Sequence, residues 1–483
     1  MPTTLEEAIH IIEQLQAENA DLKQQLAELT EQLAQAQQAQ PKGQPKVKAS
    51  VPKREPKQRR TRDPQHNRGR TRQEPTRIKT HACDACPDCG RTLSGGSVAR
   101  SRQVIDLPPP QPVEVVEHQV IERYCVHCDA DKTPTLDLTG QVIGQSRIGV
   151  RVAALIAYLR TVLRLPIRRI QEYLATVHEL DLSVGEITRL LHAVRDTLDA
   201  DVQELKAQAR ASPIVHADET GWREDGQNGY IWAFSTPGDE TVRYYEYDQS
   251  RGGHVVRRIL GGTFQGHLVS DFYCAYNRHP CPHQRCWVHL LRDLHDLRKA
   301  HPLPPETVIP EQPAPDEPVA VAVHRWCQAV RALYDDAQTW LKQHPAASQT
   351  EREAEYVRLT GQSHVLGLQY AQVKGHPCKA LCQRLLRHED ELFQFVLVDG
   401  LSADNNQAER SIRPLVIIRK ISGGSRSDAG TRTRMGLASL FETWLARGLN
   451  ALQECLRAYG CACACPGLKS FPPKCEQLPP GAQ

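Results

Sequence analysis

Residues 41–80 constrain this chain more than any other stretch. Fourteen lysines and arginines fall there against Glu55, Asp63 and Glu74, a net charge of +11, while the whole chain carries +3. The stretch is rich in Pro and Gln and almost free of large apolar side chains. It cannot bury a core and is expected to be a disordered basic tether. Such a tether concentrates a protein on a polyanion, most often nucleic acid, although a plain solubilising linker reads the same way. What remains of the 483 residues is long enough for several domains. No run approaches the roughly eighteen apolar residues of a membrane span, and the chain opens with Thr and Glu, not a basic, apolar leader. The expectation is a cytoplasmic protein with no membrane partner.

Before the tether, Leu5, Ile12, Asn19, Leu26 and Leu33 repeat every seven residues, with Ala8, Leu15, Leu22, Leu29 and Ala36 between them. This a/d pattern over residues 1–40 predicts a coiled coil, with Asn19 fixing the register of a homodimer or higher oligomer. A lone helix packed on its own chain is the bland alternative. After the tether, Cys86-Pro-Asp-Cys89 and Cys125-Val-His-Cys128 bracket the strand-like "VEVVEHQVIERY". Two paired-cysteine turns in a cytosolic chain read as a structural Zn²⁺ site of zinc-ribbon type over residues 81–135. Cys83, His81 and His127 are competing ligands, and redox chemistry is the runner-up. Residues 136–210 look helical; "IRRIQEYLATV" and "EITRLLHAVRDTL" give a helix-turn-helix outline with Arg168, Arg169 and Arg189 near its ends.

From residue 212 the period shortens. "SPIVHADETGW" is a strand ending in Asp218 and Glu219, of which only one can face a given side. "GYIWAFST" and "TVRYYEYD" read as further strands, "RGGHVVRRIL" as a helix, and "GHLVSDFYCAY" as a strand ending in Asp271. In "ADNNQAERSIRPL", Glu409 sits on a short helix, with Asp404 as N-cap and Pro414 ending or kinking it. Its bland role is an ion pair with Arg413 one turn on. Its sharper role is metal binding. Asp218, Asp271 and Glu409 clustered without a cation would raise one another's pKa, and two Mg²⁺ ions would neutralise them.

"HADETGW", "SDFYCAY", "CWVHLLRDL" and "DNNQAERSIRPLVIIRKISGGSRSDAG" together resemble the successive blocks of DDE-type transposases of the insertion sequence 66 family. The resemblance implies a multidomain α/β protein with an RNase H-like catalytic core. That core would run over residues 211–289 and 401–460, split by a helical insertion at 290–400. It implies a catalytic triad of Asp218, Asp271 and Glu409 holding Mg²⁺ or Mn²⁺, and a metal-dependent DNA transposase that cuts and joins strands at the ends of an insertion sequence. The expected partners are the element's terminal repeats, target DNA and accessory proteins of the same element. The setting is a bacterial cytoplasm, with the protein on the nucleoid when bound. Arg410, Arg413, Arg419, Lys420 and Arg426 would grip DNA phosphates, and Asn405 and Asn406 would contact DNA or the strand opposite. Cys286 and His289 match a Cys-x-x-His element expected to brace the site or contact DNA. His216 reads as packed behind the site and Trp222 as core. A catalytically silent DNA-binding derivative and an RNase H-like nuclease are the alternatives. The cysteine-rich tail, residues 461–483, has no assignment.

Overall fold

A computed structural model of the chain describes residues 20, 23–25, 28, 72–312, 314 and 316–459. Most of the heptad segment, the tether up to residue 71 and the cysteine-rich tail lie outside the described residues. The chain divides into two units, residues 1–107 and 108–483. In the first, residues 20, 23–25 and 28 are helical, and a bridge between Ala85 and Thr92 closes a loop within residues that form no other helix or strand from 72 to 107.

The second unit begins with a two-stranded antiparallel hairpin, β1 (Arg123–Cys125) and β2 (Ala130–Lys132). The expected strand over residues 113–124 is absent except for its last two residues. Val115 and Val116 are exposed there, and β-prone side chains without a second layer to pack on do not hold a strand. Four helices follow, α1 (Val150–Thr161), α2 (Ile167–His178), α3 (Val184–Thr197) and α4 (Asp199–Ala211). A capping box between Ser183 and Glu186 starts α3.

The centre is a five-stranded sheet built from β3 (Ile214–Glu224), β4 (Gln227–Ser235), β5 (Arg243–Asp248), β6 (His267–Ser270) and β7 (His283–Arg285). Its order is β5-β4-β3-β6-β7. The first three strands are an antiparallel meander, and β6 and β7 run parallel to β3. Asp225 and Gly226, both with positive φ, make the two-residue turn that the twist of β3 and β4 requires. Helix α5 (Gly253–Leu260) crosses from β5 to β6.

Side chains alternate along β3, so its two faces meet different partners. Val215 and Ala217 join Trp232 and Phe234 in a core shared with α1–α5 and the last helices. Ile214 and Val269 face the other way, into a second core built by α6 (Trp287–Ala300), α7 (Val319–Gln343), α8 (Gln349–Tyr370), α9 (Lys379–Arg387) and α10 (Gln394–Leu397). Further along that face, Trp222 packs with Ile412, Leu415 and Ile418 of α11 (Asn406–Ser422). Helix α12 (Asp428–Ala446) then covers the edge strand β5, and α13 (Ala451–Ala458) closes the chain. Ser439 and Thr443, one turn apart on α12, accept the outward amides of Tyr245 and Arg243 at 2.9 Å each. A bare sheet edge is thereby sealed by two hydroxyls.

Candidate active site

β3 and β6 are parallel with His216 opposite Val269. Two residues further on come Asp218 and Asp271, on the face that α11 covers; the expected end of the strand at Asp218 and Glu219 is corrected, because β3 stays paired with β4 as far as Glu224. Asp271 lies just past the end of β6, where its carboxylate accepts the amide of Tyr273 at 2.9 Å. Asp218 accepts the amide of Glu219 at 2.9 Å. Burial pushes the Asp218 carboxyl up to about 7, with added repulsion from Glu219, Asp271 and Glu409. Three elements distant in sequence therefore bring their acids into one field.

Glu409 comes from the first turn of α11. That helix is 17 residues long, continues past Pro414 and stops at Gly423, whose φ of 71° is left-handed. Of the end or kink expected at Pro414, the end is corrected by this span, and so is the cap: Asn405, not Asp404, is the N-cap, while Asp404 accepts the amide of Asn406 at 3.0 Å. Glu409 does not pair with Arg413. Among the described residues the imidazole beside it is that of His289, with Nε2 3.7 Å from Oε1. Glu409 Oε1 is buried and has no hydrogen-bond partner. A desolvated carboxylate oxygen without a donor is costly unless a cation meets it.

The residues between the acids are held by the backbone. Asn405 is buried; its Nδ2 donates to the Ala217 carbonyl at 2.7 Å and its Oδ1 lies 3.3 Å from His216 Nδ1. Its own amide donates to Cys286 Sγ at 3.2 Å. Asn405 is thus a clip between β3 and the start of α6, and its expected contact with DNA is corrected to the other expected role, a bond to the strand opposite. Burial holds the His216 imidazole down at about 4, the neutral form that such a clip needs. Cys286 is fully buried, and burial raises its thiol to about 11. Trp222 is core, with its indole N–H on Ser425 at 3.0 Å.

The basic residues divide. Arg419 donates to Thr220 at 2.9 Å and to the Gly221 carbonyl, so it ties α11 to β3. Arg410, Arg413, Lys420 and Arg426 are exposed and Asn406 is half-buried. At about 100° per residue, Glu409, Arg413 and Lys420 fall within about 40° of one another on α11. A cationic stripe therefore runs beside the acidic centre.

Two further groups shape the site: Glu219, which the sequence offered beside Asp218 as facing one side or the other, and Arg285, which it did not mark. Glu219 turns to the opposite face of β3, where Arg251 holds it at 2.7 Å and the Tyr276 hydroxyl donates to it. Arg285 of β7 is fully buried; it donates to the Asp271 carbonyl at 2.9 Å and to Asn277 Oδ1 at 2.7 Å and pairs with Glu391. It fixes the backbone that carries Asp271. The pairing of Asp218 with Glu219 in "HADET" was the visible signal for the first, whereas nothing local marks the second.

Each cysteine turn has thiolate-binding form by itself. Backbone amides of Asp88 and Cys89 point at Cys86 and lower its thiol pKa; the amides of Cys128 and His127 do the same for Cys125. Gly90 (φ 71°) and Asp129 (φ 48°) supply the left-handed residue that closes each turn. Among the described residues, no three His, Cys, Asp or Glu side chains are gathered as a ready-made metal cage.

The chain is a mixed α/β protein in which Asp218 lies mid-strand on β3, Asp271 follows the end of the neighbouring β6, and a helix with exposed basic residues lies beside them. The model of the family described as "Transposase IS66 family" matches residues 145–433, well over half of the chain, and the chain belongs to that family. It is also 28% identical over 222 residues to "Uncharacterized protein y4qI" of Sinorhizobium fredii (strain NBRC 101917 / NGR234). That match covers 43% of this chain and 38% of the relative's length. Among the described residues, no helix is long and apolar enough to cross a membrane.

Proposed function

We propose that the chain is a DNA transposase whose Asp218, Asp271 and Glu409 hold Mg²⁺ or Mn²⁺ and drive strand cleavage and strand transfer at the ends of its element. One observation carries the reading. Two aspartates level on adjacent parallel strands share a field with a glutamate whose buried Oε1 lacks a donor. The sheet order, an antiparallel meander with two parallel strands added beside β3, supports an RNase H-like core. The donor set fits hard divalent cations, which would activate the attacking oxygen and stabilise the leaving one.

The protein's own groups would do the rest. Asp218 and Asp271 sit on the sheet, so their spacing is fixed by strand geometry and by Arg285 behind Asp271. Glu409 closes the site from α11. Arg410, Arg413, Lys420 and Arg426 bind backbone phosphates and lay the scissile bond across the acids. Water then attacks the phosphorus, the P–O3′ bond breaks, and the freed 3′-hydroxyl attacks a target phosphorus with loss of a target 3′-oxygen. Burial raises the Asp218 carboxyl, and a cation held there would favour its ionised form. Cys86 with Cys89, and Cys125 with Cys128, would be Zn²⁺ ligands, a reading supported by the amides aimed at the first sulfur of each turn. The helical region with Arg168, Arg169 and Arg189 exposed suits recognition of the terminal repeats. Oligomerisation would come from the heptads.

The test is an assay on duplex carrying the element's end, with Mg²⁺ or Mn²⁺, comparing the native protein with Glu409→Gln. Cleavage or joining abolished by that isosteric change supports the triad. Equal activity in both removes Glu409 from the chemistry. DNA binding without turnover by the native protein, even with the element's other proteins added, favours the silent DNA-binding derivative.

A further inference from the structure

The Cys-x-x-His element does two different things. Cys286 is an anchor: its amide donates to the Ser270 carbonyl at 2.9 Å, and its sulfur accepts the Asn405 amide. Trp287, next in the chain, donates its amide to the Ala403 carbonyl at 2.9 Å. The start of α6 is thereby locked both to β6, just before Asp271, and to the segment that leads into Glu409. His289 sits one turn further on this immobilised end, with Nδ1 buried and without a partner. Nε2 is the nitrogen presented to the site, 3.7 Å from Glu409 Oε1.

That separation is too long for a hydrogen bond, whose upper limit is about 3.2 Å. It does suit two donors of one ion. Ligand atoms each about 2.1 Å from a cation lie about 3.0 Å apart at an octahedral right angle and about 3.4 Å apart in a tetrahedron. A side-chain shift well under 1 Å would close either geometry around a shared cation.

Building on the proposed metal site, we infer that His289 is a nitrogen ligand of a divalent ion shared with Glu409, and that it tilts the site toward Mn²⁺ over Mg²⁺. Mg²⁺ is hard, keeps its water and takes oxygen; a first-row transition ion accepts imidazole more readily. The inference accounts for two features at once: a buried carboxylate oxygen with no donor, and an imidazole aimed at it yet not bonded.

The experiment uses the full-length protein with zinc in its cysteine turns and no DNA. Mn²⁺ binding is followed by titration and by spin-echo envelope modulation, which detects a directly bound nitrogen. The native protein should show that nitrogen signal. His289→Ala and His289→Gln should lose it and weaken Mn²⁺ binding about tenfold, with Mg²⁺ affinity changed less than about threefold. Asp218→Asn and Glu409→Gln should also lose the signal, which localises it to this site. Mn²⁺ bound in an Asp218- and Glu409-dependent way without a nitrogen signal overturns the His289 assignment and leaves the three-acid reading standing. No Mn²⁺ dependence on Asp218 or Glu409 overturns both. The Gln variant guards against misfolding, since it keeps size and polarity, and equal Mn²⁺ affinity in it and the native protein also counts against the assignment.

Discussion

Asp218→Asn should make the protein more stable, not less, when no divalent cation is present. Asparagine keeps the oxygen that accepts the Glu219 amide and removes only the charge. In the fold the Asp218 carboxyl titrates near 7 instead of the ordinary 3.8, first because it is buried and then because of Glu219, Asp271 and Glu409. A rise of about three units corresponds to roughly 4 kcal/mol at about 1.4 kcal/mol per unit, and relaxation of the site makes roughly 2–4 kcal/mol a fair expectation. The sign follows from proton counts. Between about pH 4 and pH 7 the folded state holds a proton that the unfolded state has lost, so native stability declines as pH rises and levels off above about 7. The asparagine variant has no such decline. Its advantage should be small near pH 4.5 and full at pH 8, a Tm gain of roughly 2–4 °C for a chain of this size. Calorimetry in buffer without added Mg²⁺ or Mn²⁺ at several pH values gives the curve. Adding Mn²⁺ should then raise the native Tm and leave the variant nearly unmoved. A variant no more stable than the native protein at pH 8, or an advantage independent of pH, would refute the idea that Asp218 is held as a strained member of an acid cluster.

Three other outcomes follow from the same geometry. Asn405→Ala strands the Ala217 carbonyl and His216, so it should cost roughly 2–3 kcal/mol by chemical denaturation while leaving the salt dependence of DNA binding as it was. Arg413→Gln and Lys420→Gln should do the reverse, each lowering the slope of log K against log salt by about 1 with little change in Tm. Gly424→Ala should destabilise the protein by roughly 2–4 kcal/mol, because its φ is +126° and a Cβ would lie 2.1 Å from the Arg223 carbonyl, where the 423–425 segment docks on β3.

What could be read from the sequence follows from where each element finds its partners. β3, β4 and β5 announce themselves because their alternation is apolar and their turns are local, down to the Asp225-Gly226 pair. β7 gave no such sign. His283, Gln284 and Arg285 are all polar and all buried, and they are tolerable inside only because Gln284 meets the Leu392 carbonyl and the Phe395 amide, and Arg285 meets Glu391. A strand satisfied by residues about a hundred positions away cannot be recognised from its own composition. The opposite error occurred over residues 113–124, where β-branched residues promised a strand and no facing layer existed to make one. As a stop signal, Pro414 misled for a local reason: it falls inside α11, whose buried Leu415 and Ile418 pack on the sheet and hold the helix past it.

The site shows the same division at the level of single side chains. A motif such as "DNNQAERSIRP" mixes residues that meet the ligand with residues that aim them, and composition does not separate the two. Asn405 and Arg419 have the chemistry of DNA contacts, yet both are committed to β3. Glu409 and Arg413 look like an ordinary helical ion pair at four residues, yet α11 turns the carboxylate toward Asp218 and leaves the guanidinium outward. The deciding quantity is desolvation. Where a polar side chain is buried with its bonds complete, as in Asn405, it holds structure. Where a single oxygen is buried without a donor, as Glu409 Oε1 is on a side chain otherwise partly exposed, the fold leaves a place that an additional charge would fill. That asymmetry, and not the identity of the residues, is what separates the groups that hold this site together from those proposed to meet a ligand.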